Sequence, residues 1–193
     1  MKDRNFFIPG GIEYFMPDEA DDFEILKSKA LKIFKKSRYK YVIPPIIDNL
    51  PNLLSLESQD LDRQTLTFID QTTGKKIGMR ADITPQIAKI DQHLSKGGIS
   101  RYAYMGDIIR ATDNQFDRRN PYQIGCEIFG CSTKSHDLEI ISQMIDIVKL
   151  SNEKLLILEI CDLSIVNDII NTFGNYNGRN IIQTRKKLLK PQF

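Results

Sequence analysis

Residues 75–94, KKIGMRADITPQIAKIDQHL, decide the fold. Ile77 and Met79 alternate with small or polar neighbours, and that period of two predicts a strand. Thr84 is a favourable helix N-cap. Pro85 suits the first helical position, where its missing N–H costs nothing. Ile87, Ala88, Ile90 and Leu94 then recur at helical spacing on one face. Arg80, Asp82 and Thr84 therefore fall where a strand passes into a helix. If the strand continues to Thr84, their i, i+2, i+4 spacing turns all three to one side. A carboxylate, a hydroxyl and a guanidinium together suit a small zwitterion, the first taking an ammonium and the last a carboxylate or phosphate. The competing expectation is an Arg80–Asp82 ion pair at a strand end, with Thr84 as a plain cap.

Upstream, Leu66 and Phe68 alternate, and Gln71-Thr72-Thr73-Gly74 turns the chain, so the Lys75 strand returns as a hairpin. Tyr39 to Ile47, YKYVIPPII, reads as one β-branched and aromatic strand. Pro44 and Pro45 forbid a regular central ladder there and predict an edge or an interface. Pro51 to Leu61 predicts a short helix and loop. Pro9-Gly10-Gly11 is a turn, and Pro17-Asp18 opens a helix with Phe23, Leu26, Ala30 and Ile33 as its buried stripe. Asp18, Glu19, Asp21 and Asp22 load the start of that helix, and Lys32, Lys35, Lys36 and Arg38 load its end, as the macrodipole favours.

Downstream, Gly97-Gly98 closes the helix, residues 99–110 are extended, and residues 111–120 form a polar loop. Pro121 to Gly130, PYQIGCEIFG, is extended again. Tyr122, Ile124, Cys126 and Ile128 share one face, and Gln123, Gly125, Glu127 and Phe129 the other. The second face carries an amide and a carboxylate with a glycine between them, which leaves room for a ligand to approach. The alternative is a solvent-facing strand with a glycine bulge. Ser135 to Leu150 predicts an amphipathic helix with Leu138, Ile141, Ile145 and Val148 inward. Leu155 to Ile160 predicts a buried strand, Asp162 to Phe173 a further helix stopped by Gly174, and Asn177-Gly178 a turn before a short basic helix. The pattern is α+β with an antiparallel sheet.

The chain has 193 residues, a net charge of +2 and 27% charged residues. That length fits one domain, or one and a small part, with a real core. The charge gives no general reason to expect nucleic-acid binding. The N-terminal residues lack the apolar segment of a signal peptide, and no run approaches the ~18 apolar residues of a membrane span. The three cysteines predict reduced thiols in a cytoplasmic protein. Cys126 and Cys131 have no zinc-type spacing, and His93 and His136 read as surface residues. No metal site and no cofactor are expected.

The motifs resemble the class II aminoacyl-tRNA synthetase catalytic fold and its histidyl-tRNA synthetase branch. Within that branch the resemblance is to the regulatory subunits of ATP phosphoribosyltransferase. FIPGGIEYFMPDEA resembles the start of those subunits. SRYKYVIPPIID resembles the first class II motif, at a dimer interface. GMRADITPQIAKI is the most specific piece, and RYAYMGDIIRA with NPYQIGCEIFG resembles the second motif. The resemblance covers nearly all of residues 1–193 and implies a partial catalytic-type domain.

The same resemblance implies a histidine site. Asp82 and Thr84 stand where the branch holds histidine with an acid and a threonine. Arg110 stands at the end of the first motif-two strand, and Gln123 and Glu127 on the second. Two departures count against adenylation. The synthetases' Arg-x-Glu is here Arg110-Ala111-Thr112, and their Arg-Pro-Glu-x-Thr is Arg80-Ala81-Asp82-Ile83-Thr84. No glycine-rich, arginine-ended third motif and no anticodon-binding domain are visible, so the C-terminal part of the sheet is expected to be missing. The function implied is that of a noncatalytic subunit. It would support the short-form catalytic subunit in the first step of histidine synthesis, self-associate through the first motif and pass on inhibition by L-histidine. The alternative is a histidyl-tRNA synthetase fragment. No membrane or nucleic-acid partner is implied.

Overall fold

A computed structural model describes residues 9–54, 59–112, 114, 117–151, 155–160, 164 and 168. The chain divides into two units, residues 1–152 and 153–193. The elements of the first are α1 (Pro17–Lys36), β1 (Lys40–Val42), β2 (Ile47–Asn49), α2 (Leu50–Leu53), α3 (Gln59–Gln64), β3 (Leu66–Ile69), β4 (Lys76–Met79), α4 (Thr84–Leu94), β5 (Ser100–Asp107), β6 (Tyr122–Phe129) and α5 (Lys134–Val148).

Helix α1 begins as its sequence predicts. Pro17 sits in the first turn, and Glu19 Oε2 accepts the Met16 N–H at 3.0 Å, supplying a carboxylate where the dipole favours one. The stripe of Phe23, Leu26, Ala30 and Ile33 is turned inward as expected, joined by the fully buried Phe34. Arg38 takes a positive φ of 63° at the end of this helix, and the Tyr39 N–H returns to the Phe34 carbonyl. That reversal feeds the chain into β1.

The expected single strand from Tyr39 to Ile47 is two strands in two sheets. One sheet has the order β1-β5-β6, the other β2-β4-β3. Pro44 and Pro45 carry no N–H for a ladder, so the chain leaves the first sheet at Val42 and joins the second at Ile47. Among the described residues β1 is an edge strand, ending just before the two prolines. It runs parallel to β5, whereas every other described pair is antiparallel. The 66–79 hairpin forms as predicted, with Gly74 at φ +68° in the turn.

The β5–β6 register sets the two faces of the first sheet. Tyr102 lies opposite Glu127, Tyr104 opposite Gly125, and Gly106 opposite Gln123. This is the side predicted for Gln123 and Glu127. On it α4 packs, with Ile83, Ile87, Tyr102, Tyr104 and Ile108 as the core. Ile83 and Ile87 are fully buried, each contributing about 1.5–3 kcal/mol of burial. The other face carries Phe34, Tyr39 and Ala103, with Ile124, Cys126 and Ile128 from β6 and Ile140 and Ile147 from α5.

Two helix expectations are corrected. In α5, Ile140, Gln143 and Ile147 face inward, while Leu138 and Val148 are exposed. Glu139 fixes this rotation. It accepts from Arg101 at 2.8 and 2.9 Å and from the Tyr39 hydroxyl at 3.0 Å, which draws the 139–140–143–147 face onto the sheet. In α4, Leu94 is exposed and Gln86 is buried instead, because its amide donates to the Pro45 carbonyl and to Asp48, both at 3.0 Å.

In the second unit, residues 155–160 are exposed and irregular, not a buried strand. A strand needs a hydrogen-bonded neighbour, and among the described residues none pairs with this segment. Ser164 and Asp168 are helical, within the helix predicted at 162–173. The Gly174 stop, the 177–178 turn and the basic tail lie outside the described residues, as do Cys161 and the Phe7-Ile8 start of the FIPGG opening.

Candidate functional site

The first turn of α4 meets the ends of β5 and β6. The strand of the 66–79 hairpin stops at Met79, so Arg80, Asp82 and Thr84 do not share one strand face. Arg80 turns inward and is 4% exposed. Its guanidinium donates to the carbonyls of Asp107 and Pro44, each at 2.7 Å, with a longer contact of 3.4 Å to the Pro45 carbonyl. It is neither part of a zwitterion-binding face nor the partner of Asp82. Burial lowers its pKa. Gly106 leaves the space for this guanidinium, because a Cβ there would clash with an Arg80 terminal nitrogen.

Asp82 organises the helix start. Its Oδ1 accepts the Thr84 N–H and the Gln123 Nε2, both at 2.9 Å. The Gln123 Oε1 in turn accepts the Ile83 N–H at 2.9 Å. Two N–H groups that a helix start leaves open are thus taken by side chains. Ile83, not Thr84, is the N-cap residue. The Thr84 hydroxyl is consequently free of capping and donates to Glu127 Oε1 at 3.0 Å.

Tyr104 completes the set. Its hydroxyl stands 3.1 Å from Thr84 Oγ1 and donates to Glu127 Oε1 at 3.1 Å. The residue is 3% exposed, and its ring lies where a Gly125 side chain would be, within 2.5 Å of a Cβ built there. The glycine expected to leave room for a ligand leaves room for this ring. Tyrosine in an apolar strand reads as core, so only the pairing of Tyr104 with Gly125 exposes its role.

Burial raises the Glu127 pKa against the lowering effect of its hydrogen bonds to Thr84 and Tyr104, and the nearby Asp82 charge raises it further. Burial likewise raises the Tyr104 hydroxyl. Among the described residues, Asp82 Oδ2 and Glu127 Oε2 accept no hydrogen bond. Two carboxylate oxygens are therefore open to a cationic group, one of them on an acid whose charge is disfavoured by burial.

Of the five expected site residues, Asp82, Thr84, Gln123 and Glu127 are joined in one hydrogen-bonded set. Among the described residues Arg110 is joined to it through the main chain, its Nε donating to the Ala81 carbonyl at 3.2 Å. That bond brings the guanidinium beside the residue preceding Asp82. It lines a recess of about 420 Å³ with Gln64, Thr112, Asp117 and Arg118. Among the described residues, no group of three or more His, Cys, Asp or Glu side chains could hold a metal ion.

Residues 11–187 match the family described as histidyl-tRNA synthetase. An ATP phosphoribosyltransferase regulatory subunit from Stutzerimonas stutzeri is 39% identical over 148 residues, covering 76% of this chain and 38% of its own length. One from Psychrobacter arcticus is 40% identical over 142 residues, covering 73% and 37%. This chain thus spans less than half the length of these curated relatives. The crystal structure of an ATP phosphoribosyltransferase regulatory subunit/histidyl-tRNA synthetase from Bacillus halodurans superposes with a TM-score of 0.65 at 24% identity, covering 78% of this chain and 39% of its own. A histidine–tRNA ligase subunit from Alicyclobacillus acidocaldarius gives 0.62 at 20% identity, covering 75% and 42%. The chain belongs to the histidyl-tRNA synthetase family and has its class II aminoacyl-tRNA synthetase-like α+β fold.

Proposed function

We propose that this chain is a noncatalytic regulatory subunit of ATP phosphoribosyltransferase, acting with the short-form catalytic subunit in the cytoplasm and holding L-histidine as its effector. The observation that carries this reading is the half-buried Asp82–Glu127 pair. Each acid spends one oxygen on Thr84, Gln123 or Tyr104, and the charge of one raises the pKa of the other. An ammonium group placed between them relieves that crowding and takes the remaining oxygens. Arg110, tied to Ala81, takes the carboxylate of the same amino acid, and Thr84 and Gln123 hold the two acids in place. Histidine then regulates by preferring one of two assembly states.

The segment at 43–47 supports self-association. Ile43 is 74% exposed beside an edge strand that pairs only with β5 among the described residues. An apolar residue beside an open edge suits a second copy of the chain.

Calorimetric titration with L-histidine tests the site. Binding is expected for the wild-type chain, with a loss of at least tenfold in Asp82→Asn and in Glu127→Gln. Unchanged affinity in both variants removes the site assignment. The family match itself favours a second reading, a histidyl-tRNA synthetase fragment. Histidine-dependent ATP–pyrophosphate exchange would establish that reading, and its absence is expected because Ala111-Thr112 replaces the acid that follows the motif-two arginine.

A further inference from the structure

Resting on the histidine-binding reading above, we infer that Tyr104 is a positioning residue of the site: its hydroxyl pins Glu127 Oε1 against Thr84 and leaves Oε2 for the ligand's ammonium. Three polar atoms form a closed triangle. Thr84 Oγ1 and Glu127 Oε1 are 3.0 Å apart, and the Tyr104 hydroxyl is 3.1 Å from each. Two hydroxyls bring two protons to three contacts. When Glu127 is ionised, both protons point at Oε1 and the Thr84–Tyr104 contact carries none. When Glu127 holds a proton on Oε1, one donor serves each contact and all three are made. The direction of the Tyr104 hydroxyl is therefore tied to the protonation state of Glu127.

The placement is built into the backbone. Tyr104 lies opposite Gly125, whose missing side chain is what lets the ring cross β6 to reach Glu127. The groups facing Glu127 are Tyr102 and Tyr104 from β5 and Asp82 and Thr84 from the start of α4. None of these is a cation, so the two hydroxyls are what favour its ionised form. Loss of one leaves Glu127 protonated to higher pH and less ready to meet an ammonium.

Tyr104→Phe keeps the ring and removes only the hydroxyl. The Glu127 carboxyl is followed by carbon-13 NMR in the absence of histidine, assigned with Glu127→Gln. L-Histidine affinity is measured by calorimetry from pH 5 to pH 9. In Tyr104→Phe, the Glu127 midpoint is expected to move up. Histidine affinity at neutral pH should fall about tenfold, the scale of one hydrogen bond to a charged group. The loss should shrink as pH rises. An unmoved midpoint overturns the inference, whether or not affinity falls, because a loss without a shift reports packing alone. A moved midpoint in a chain that never binds histidine leaves Tyr104 as the positioning residue and removes the histidine reading instead.

Discussion

Gly106→Ala is expected to be costly although it adds a single methyl group. The added Cβ would clash with an Arg80 terminal nitrogen and stand 3.2 Å from its central carbon and 3.4 Å from Ile83 Cδ1. Ile83 is fully buried in the α4 core, and the guanidinium is fixed by two 2.7 Å bonds to the Asp107 and Pro44 carbonyls. Neither neighbour yields freely. Moving the guanidinium forfeits at least one charged-group hydrogen bond, about 1.5–3 kcal/mol. Overpacking adds roughly 1–3 kcal/mol. A loss of about 3–5 kcal/mol follows, a large share of the ~5–15 kcal/mol typical of a domain. Urea denaturation measures it, read as a lower midpoint at unchanged slope. Gly10→Ala is the control, since nothing lies within 4 Å of a Cβ there. Arg80→Lys removes the rigid fork, so adding Gly106→Ala to it should cost clearly less than in the wild type. A Gly106→Ala chain within about 0.5 kcal/mol of wild type would refute the idea that Arg80 is locked.

Glu127 and Glu139 should affect stability with opposite dependence on pH. The folded-state pKa of Glu127 is raised, so its contribution is full below the ordinary carboxylate range and is lost as pH rises through the raised value; Glu127→Gln should abolish that decline in a pH series of unfolding curves. The pKa of Glu139 is lowered, chiefly by its hydrogen bond to Arg101. Its contribution is present above the unfolded value and lost as pH falls through the folded one, and Glu139→Gln should cost about 1 kcal/mol at neutral pH and little in acid. Burial pushes the Cys126 thiol up to about 11, so its alkylation by iodoacetamide at neutral pH should be slow in the folded chain and rapid in urea, as followed by mass spectrometry.

What the sequence made legible was local. The 66–79 hairpin and the alternation of β6 are written in periods of two residues, and Gln123 and Glu127 fall on the predicted face for that reason. The identity of the partner across a sheet is not local. Tyr39 to Ile47 reads as one strand because its residues all favour strands, and only the two sheets that receive its halves reveal the break at Pro44 and Pro45. The rotation of α5 was hidden because it carries apolar residues on two stripes, and an ion pair from another strand chooses between them. Arg80 and Tyr104 were hidden for a shared reason. Each is placed by a glycine far away in sequence, Gly106 or Gly125, and that dependence exists only once the chain is folded.

The most direct test is phosphoribosyl-ATP formation by the cognate short-form catalytic subunit, with and without this chain, across an L-histidine titration. The account predicts activity that requires the chain and falls with histidine, and inhibition that weakens in Glu127→Gln. Activity that is the same with and without the chain, at every histidine concentration, would contradict it.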